Sequence, residues 1–476
     1  MIQEAYDFYY DKCRRKGKAH AMEVKILVYL ITALAALGLL AYMSKRYKLS
    51  RYQLMIFFLL TLFWSANVII RAYRKSYALN PPEAGGLGLD FAKAAVIASG
   101  YGFISIFARA IVLFLSDRWR SRKKVILLGL ISMALTGLWV LLSPDFNSLL
   151  ASSLALGLGA SMLSLFNLFF AESFEEKDAL LSVSILSVAP LLAEFIMSSF
   201  QYAFTIEGEE NYPALWFLSI LFSLVAMFFL FFVKEKKSER LSAAGKGNMN
   251  REAFLSVIRD KRSWLYAFLG VIISLIRFST SGSNMITYFQ SDLVQMNALM
   301  VAYSDFVYAI AQLLAGVLIG TVLSRRFGLK KSLLLGIFCG SFFNLLLLLS
   351  RDPALLFYTS MLQGFSYGIT YNALIGLTML SVELHLRDMS MAFFQTFFAL
   401  GIFYGDMIYK TVADLLAGNS VEATYHNVFL FIFILSLLLL ALVAVAVKDT
   451  VAVKDTGAER KSEEPAGSGA HGAIDQ

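Results

Sequence analysis

Long apolar stretches alternate with short polar ones along almost the whole chain. A helix that crosses a bilayer needs about 20 mostly apolar residues, and by this measure the sequence contains about thirteen candidate spans. The pattern predicts an all-α integral membrane protein. The candidate spans lie near residues 24–43, 53–76, 91–115, 124–143, 148–171, 179–204, 213–233, 263–289, 297–323, 332–349, 353–380, 389–416 and 426–447.

A short basic phrase occurs twice, each time between two apolar runs. Residues 116–124 read SDRWRSRKK and are followed by VILLG, and residues 323–331 read LSRRFGLKK and are followed by SLLLG. An arginine, the Lys-Lys pair and the following glycine keep the same register in both copies. A repeat of this kind in a hydrophobic chain indicates two homologous bundles of six helices.

The connection between the two sets of helices is long and rich in Lys and Arg. Because positively charged loops stay in the cytoplasm, this connection and both basic phrases are predicted to lie inside the cell. The predicted domains are an N-terminal segment with an extra hydrophobic helix (1–50), a six-helix bundle (51–233), a cytoplasmic basic linker (234–262), a second six-helix bundle (263–447) and a disordered tail (448–476). The first hydrophobic segment has two basic flanks, so an interfacial helix is the alternative to an extra span. A signal peptide is disfavoured because no cleavage site follows.

Composition restricts the class of protein further. Hydrophobic residues make up 58% of the 476 residues and charged residues only 16%, too few to cover a soluble protein of this size. The formal net charge of +8 comes from cations at the ends of apolar runs, so the predicted partner is the lipid bilayer and not nucleic acid. Cys13 and Cys339 show neither a disulfide framework nor metal-ligand spacing. We find no GxxxxGK[ST] loop, nucleophile–base pair or cofactor loop, and expect no enzyme activity, metal or cofactor.

The helical arrangement resembles a known transporter family. Six plus six helices, a basic central connection and a repeated basic turn between the second and third helix of each half resemble the major facilitator superfamily over about residues 51–447. The second turn has Ser324 where that family usually has Asp, and the first has Leu113 in place of the leading glycine. The resemblance implies a secondary transporter driven by gradients.

The repeated turn also suggests a gate. A carboxylate at a helix end that faces guanidinium groups of the other bundle can form a charge-assisted contact that holds the cytoplasmic side shut. The alternative is that these cations only determine the topology. The predicted gate residues are Asp117, Arg118 and Arg325.

Charged residues inside apolar spans are the strongest pointers to a site. An ion at the bilayer centre costs at least about 2.5–3.5 kcal/mol, so such residues are functional candidates by default. Arg71, Arg74 and Lys75 have the spacing i, i+3, i+4, which places them on one face of a continuous helix. Arg277 mirrors Arg71 in the repeat, and cations outnumber acids, so we expect a midplane cavity that attracts an anion. The predicted substrate-binding residues are Arg71, Arg74, Lys75, Arg109, Arg277 and Tyr371.

Other readings of these charges stay open. Arg71 and Lys75 could extend to the outer membrane interface, and Arg109 could form a structural ion pair with an acid such as Asp305. Burial of Glu194, Asp305 or Asp406 would also suit proton coupling. Asp305 is our candidate for a coupling residue.

A narrower resemblance concerns the stretches around two of these arginines. Residues 74–79 read RKSYAL and residues 275–278 read LIRF, which resemble the substrate-binding stretches of the organophosphate:phosphate antiporters. The resemblance implies a phosphorylated metabolite exchanged for phosphate, with Arg74 and Arg277 holding the phosphoryl group and Arg109 adding positive charge. Residues 167–172 read NLFFAE and lack the histidine that members of this family carry there, so a carboxylated or sulfonated substrate stays open.

The function expected from the sequence is secondary active transport of a small organic anion by alternating access. The alternative is a proton-coupled exporter of hydrophobic or cationic compounds, and a non-transporting receptor is a third class. We expect a multi-pass monomer in a plasma membrane or a bacterial inner membrane.

Overall fold

The computed structural model describes residues 2–171, 173–174, 185–206, 210–234, 251–383, 386–415 and 420–448. Within these ranges only the backbone is described at residues 2–21, 109–110, 113, 117, 171, 251–254 and 388. Every element of regular secondary structure in the described part is helical, which confirms the predicted all-α fold. The predicted tail after Lys448 and most of the predicted linker lie outside the described residues.

Helices follow one another through both halves of the chain. The N-terminal segment and the first half contain α1 (Ile2–Tyr47), α2 (Arg51–Arg71), α3 (Arg74–Leu79), α4 (Phe91–Trp119), α5 (Arg122–Leu142), α6 (Phe146–Ser161), α7 (Leu163–Ala171), α8 (Val188–Phe204) and α9 (Tyr212–Phe232). The linker and the second half contain α10 (Arg251–Arg259), α11 (Lys261–Ser279), α12 (Ser283–Gln290), α13 (Ala298–Leu318), a π-helical turn (Ile319–Leu323), α14 (Ser324–Leu349), α15 (Pro353–Leu380), α16 (Arg387–Leu415) and α17 (Val421–Ala446).

The lengths and apolar surfaces of these helices suit a membrane. Within the described residues, 10 helical stretches are long and apolar enough to cross one. Ala298–Leu349 counts once although it covers two predicted spans, and Val188–Phe204 is a shorter apolar helix. Side chains such as Leu142 and Phe231 are 76% and 68% exposed, as expected for surfaces that face lipid tails.

The extra N-terminal helix packs where the two halves meet. Helix α1 extends well beyond the predicted segment, and its portion Met22–Tyr47 has the length and hydropathy of a span. The Thr32 and Tyr303 hydroxyls lie 2.9 Å apart, and the Tyr29 ring lies 5.2 Å from the Phe200 ring. Helix α1 therefore contacts α8 of the first half and α13 of the second.

The first helix of each half is broken at a matching place. Helix α2 ends at Arg71 and α3 begins at Arg74, whereas α11 ends at Ser279 and α12 begins at Ser283. Gly282 adopts φ 59° before α12, in the left-handed region that favours glycine. The prediction that Arg71, Arg74 and Lys75 share one helical face assumed an unbroken helix; Arg71 and Arg74 still line one cavity, whereas Lys75 does not.

Helices α4 and α16 bring the backbones of the two halves into close contact. A Cβ atom added to Gly102 of α4 would lie 2.5 Å from the backbone nitrogen of Phe403 in α16. Only glycine permits such a backbone approach, which is a common device at interfaces between membrane helices. The remaining space between the halves forms a cavity.

Candidate functional site

A cavity of about 420 Å³ lies between the two halves, and both halves line it. Its wall combines aromatic surface with charged groups, which is typical of a small-molecule site. The broken helices contribute on both sides, as expected for a midplane site in a transporter with internal repeats. The charged and phenolic residues of its wall are Arg71, Arg74, Tyr101, Glu194, Arg277, Asp305, Tyr308, Tyr367, Tyr371 and Asp406.

Arg71 faces this cavity and not the outer membrane interface. Its Nη2 atom lies 2.6 Å from Oε1 of Glu194, and the two side chains are 22% and 9% exposed. Helix α2 ends at Arg71, so the side chain leaves the helix terminus toward α8, which carries Glu194. The positive charge of Arg71 is thus compensated within the first half.

Arg74 is held in place by the break between α2 and α3. Its Nη1 atom donates to the carbonyl oxygen of Arg71 at 2.9 Å, and its Nη2 atom donates to that of Ala98 at 2.9 Å. Nη2 also lies 4.0 Å from Oδ2 of Asp406 in the second half, and the guanidinium lies 5.4 Å from the Tyr101 ring centroid. The carbonyl group of Arg71 lies at the end of α2, where carbonyl groups need donors, so Arg74 serves the backbone as well as the cavity.

Lys75, predicted to bind substrate, does not line the cavity. It is fully buried, and its Nζ donates to Oδ1 of Asn284 in the other half at 2.6 Å. The rings of Tyr409 and Phe91 lie 4.0 and 4.6 Å from Nζ. Asn284 in turn donates from Nδ2 to Oδ1 of Asp406 at 2.7 Å. Lys75 is therefore a contact between the halves, a role that the helix break produces and that sequence spacing did not reveal.

Arg277 rests among three aromatic rings. Its guanidinium carbon lies 4.2 Å from the ring centroid of Phe278, 4.6 Å from that of Tyr367 and 5.0 Å from that of Tyr308. Nη1 lies 3.4 Å from the Ser281 hydroxyl, and the buried Nε has no hydrogen-bond partner among the described residues. Within the described part of the chain Arg277 forms no ion pair, so its charge is available to a ligand.

The other predicted site residues divide into three cases. Asp305 lines the cavity, and its buried Oδ2 has no hydrogen-bond partner in the described part of the chain. Tyr371 also lines it, and its hydroxyl accepts from Nε2 of Gln395 at 2.8 Å. The backbone of Arg109 belongs to α4, but its side chain lies outside the described residues.

The charge balance of the cavity differs from the prediction. Among the described residues, three arginines (Arg71, Arg74, Arg277) and three carboxylates (Glu194, Asp305, Asp406) line it. The expectation that cations outnumber acids does not hold for this lining. Lys75 adds one positive charge just outside, where Asn284 connects it to Asp406. The charges are unevenly paired. Arg71 and Arg74 each have a carboxylate within 4.0 Å, whereas Arg277 has none among the described residues.

The cavity is closed at the end opposite to the basic turns. There Ser76 and Thr287 of opposite halves share a hydrogen bond of 3.1 Å, next to the bond between Lys75 and Asn284. The predicted cytoplasmic gate lies at the other end, where Arg118 and Arg325 are exposed and the Asp117 side chain is outside the described residues. The gate stays a prediction.

A helical membrane protein with a charged cavity between two repeated halves has the architecture of a transporter. The family model of the Major Facilitator Superfamily matches residues 53–406 and 267–471, and the chain belongs to this family. It is therefore a multi-pass membrane protein and a secondary transporter that works by alternating access.

Solved transporter structures share this fold. A mutant of the nucleoside transporter NupG is 14% identical, with a TM-score of 0.70 over 84% of this chain and 100% of that chain. A POT family transporter in complex with 5-aminolevulinic acid is 12% identical, with a TM-score of 0.66 over 84% and 97%. An inward-facing bacterial homolog of the human lysosomal transporter Spinster is 13% identical, with a TM-score of 0.60 over 83% and 96%. No curated protein sequence matches at a significant level.

Proposed function

We propose that the chain transports a small organic anion and that the negative group of this anion binds Arg277. The observation that carries the proposal is the guanidinium of Arg277 in the cavity wall, with aromatic rings around it and no carboxylate within 4 Å among the described residues. A desolvated guanidinium without a counter-ion is costly. A carboxylate or phosphate oxygen that enters the cavity removes this cost and accepts bidentate hydrogen bonds.

The charge balance favours a substrate with one dominant negative charge. Glu194 already compensates Arg71, and Asp406 lies near Arg74. A carboxylate needs only one arginine without an ion pair, which is Arg277, whereas a phosphoryl dianion needs a second arginine as well. The carboxylate of Asp305 lies in the same wall, and its buried Oδ2 has no hydrogen-bond partner among the described residues, which suits a hydrogen-bond-donating or positive group on the same substrate.

A phosphorylated metabolite exchanged for phosphate is the second candidate. Arg74 and Arg277 line one cavity from opposite halves, as the organophosphate:phosphate antiporter resemblance implies. For this substrate to bind, the phosphoryl group has to displace Asp406 from Arg74. Exchange follows from the same electrostatics, because an empty cavity leaves Arg277 uncompensated and makes return without cargo unfavourable.

The transport cycle moves the two halves around this cavity. The halves are joined at one end by Lys75 with Asn284 and by Ser76 with Thr287, which supports our proposal that the cavity opens to the side of the basic turns. We propose that this side is the cytoplasm of a cell bounded by a plasma or bacterial inner membrane. Both halves of the cavity come from one chain, which supports our proposal that the protein works as a monomer.

Transport by purified protein in liposomes tests the proposal. Uptake and counterflow are measured for phosphate, sugar phosphates, carboxylates, 5-aminolevulinic acid, nucleosides and lipophilic cations at two pH values. We expect the strongest transport for an organic anion, and at least a roughly tenfold loss for Arg277→Ala and Arg277→Lys, because ammonium cannot replace the planar fork of guanidinium.

Arg351→Ala is the matched control. Arg351 is an exposed arginine of the same half that pairs with Glu422 far along the chain, and its removal should leave transport unchanged. Anion transport by Arg277→Ala at the parental rate contradicts the proposal. Preferred transport of lipophilic cations instead supports the alternative, a proton-coupled exporter that uses the three cavity carboxylates.

A further inference from the structure

A buried polar chain connects the substrate cavity to the closed end of the molecule. Arg74 and Asp406 line the cavity, whereas Asn284 and Lys75 lie behind it and are fully buried. Hydrogen bonds run from Lys75 Nζ to Asn284 Oδ1 (2.6 Å) and from Asn284 Nδ2 to Asp406 Oδ1 (2.7 Å), and the other oxygen of Asp406, Oδ2, forms an ion-pair contact with Arg74 Nη2 at 4.0 Å. The two end members, Lys75 and Arg74, belong to the first half and the two middle ones, Asn284 and Asp406, to the second, so the chain crosses their interface twice.

Asn284 is positioned by the break between α11 and α12. It is the second residue of α12, two positions after Gly282, and its Nδ2 also donates to the carbonyl oxygen of Phe278 at 2.9 Å. The amide thus has the donors and the acceptor of a bridge between a cation and a carboxylate. The amide joins Lys75 to one oxygen of Asp406, and the other oxygen of Asp406 faces Arg74.

The charges of this chain do not balance. Two cations, Lys75 and Arg74, share one carboxylate, Asp406. Backbone carbonyls of Arg71 and Ala98 and the rings of Phe91 and Tyr409 stabilise the cations without neutralising them. An anion bound at Arg277 enters the cavity that Arg74 and Asp406 also line, adds negative charge there, and lets Asp406 move toward Asn284 and Lys75.

We propose that Lys75, Asn284 and Asp406 form an outer lock that responds to the occupancy of the cavity through Arg74. Lys75 and Asn284 act as positioning residues, since neither lines the cavity. Asp406 divides its two oxygens between the lock and the site, so its balance between Asn284 and Arg74 decides how firmly the halves are held at the closed end. The identity of the ligand rests on the proposed function, but the existence of the lock does not.

Two substitutions of Asn284 test the lock in opposite directions. Asn284→Asp adds a negative charge and forms an ion pair with Lys75, which should hold the end closed, while its second oxygen takes the place of Nδ2 and repels Asp406 toward Arg74. Asn284→Ala removes the bridge between the halves and should open it. A hydrogen bond to a charged group is strong enough to change the open-to-closed ratio about tenfold. A merely structural asparagine would respond to both changes by loss of stability alone.

The readout is a distance across the closed end. Spin labels at Glu83→Cys and Asp292→Cys, both exposed and on opposite halves, report it by pulsed electron resonance in a background with Cys13→Ser and Cys339→Ser. Asn344→Ala is the matched control, because Asn344 is an equally buried asparagine within the second half and does not bridge the halves. We expect the parent and the control to show mainly the short distance with a minor long component, Asn284→Ala to enlarge the long component, and Asn284→Asp to lose it.

The outcomes are distinguishable from those of the transport assay. Equal shifts in the two Asn284 variants, or no shift in either, overturn the lock even if anions are transported. Added inorganic phosphate or a carboxylate should change the distance distribution of the parent but not of Asp406→Asn. If Asp406→Asn responds as the parent does, the link through Asp406 is wrong. Opposite shifts in the Asn284 variants support the lock even if no organic anion is transported.

Discussion

Glu194 and Arg71 form an ion pair of 2.6 Å inside the first half of the protein, at the wall of the central cavity. One partner comes from the end of α2 and the other from α8, so the pair fixes the position of the break that precedes α3. It also removes Arg71 from the set of arginines that a substrate meets. Arg277, its counterpart in the repeat, has no such partner among the described residues.

This pair predicts a specific pattern of stability. Glu194→Ala and Arg71→Ala should each lower the free energy of unfolding by about 2–4 kcal/mol, because each leaves a poorly solvated charge; the 22% exposure of Arg71 keeps the cost below that of a fully buried pair. The double variant should lower the free energy of unfolding by less than the sum of the two single losses. Denaturation of purified protein in detergent, arranged as a double-mutant cycle, measures the coupling. Additive losses would show that the two charges do not stabilise each other.

The break before α12 predicts a second effect on stability. Gly282 has φ 59° and ψ −139°, which only glycine adopts readily. Gly282→Ala should lower the free energy of unfolding by about 1–3 kcal/mol. The cause would be backbone strain and not a steric clash, because an added Cβ would meet nothing within 4 Å. Gly320→Ala is the control, because its Cβ also meets nothing within 4 Å and its φ is not positive. Equal thermal stability of the two variants would contradict the strain argument.

The interface of α4 with α16 predicts a steric effect. Gly102→Ala places a Cβ 2.5 Å from the Phe403 backbone nitrogen, and neither backbone can move without separating the helices. We expect the free energy of unfolding to fall by about 1–3 kcal/mol, the usual cost of overpacking. Gly38→Ala in α1, where a Cβ meets nothing within 4 Å, should be neutral. Thermal unfolding in one detergent compares the two, and an unchanged Gly102→Ala midpoint would refute the close approach.

The sequence predicted the helices well because a lipid environment imposes long apolar runs. It also predicted that Arg71, Arg74 and Arg277 face a common cavity, since buried charges need polar surroundings. It failed for Lys75, because helical spacing holds only within a continuous helix and the break at residues 72–73 turns Lys75 toward Asn284. The pairing of Arg71 with Glu194 could not be predicted, because it depends on how α2 packs against α8. The three rings around Arg277 could not be predicted either. Tyr308 and Tyr367 come from other helices, and the contact with Phe278 depends on the rotamer of that neighbouring residue.

These rings predict an effect on substrate affinity. Tyr308 lies 5.0 Å from the guanidinium carbon of Arg277, and a cation–π contact of this kind contributes about 0.5–2 kcal/mol. Tyr308→Leu should therefore raise the apparent KM for the transported anion about 2–30-fold, because Arg277 loses its orientation. Tyr308→Phe keeps the ring and should retain most of the affinity, whereas Tyr358→Leu, at a tyrosine that is 63% exposed, should have no effect. Concentration-dependent uptake into liposomes gives the KM values. An equal loss in Tyr308→Phe and Tyr308→Leu would assign the effect to the hydroxyl and not to the ring.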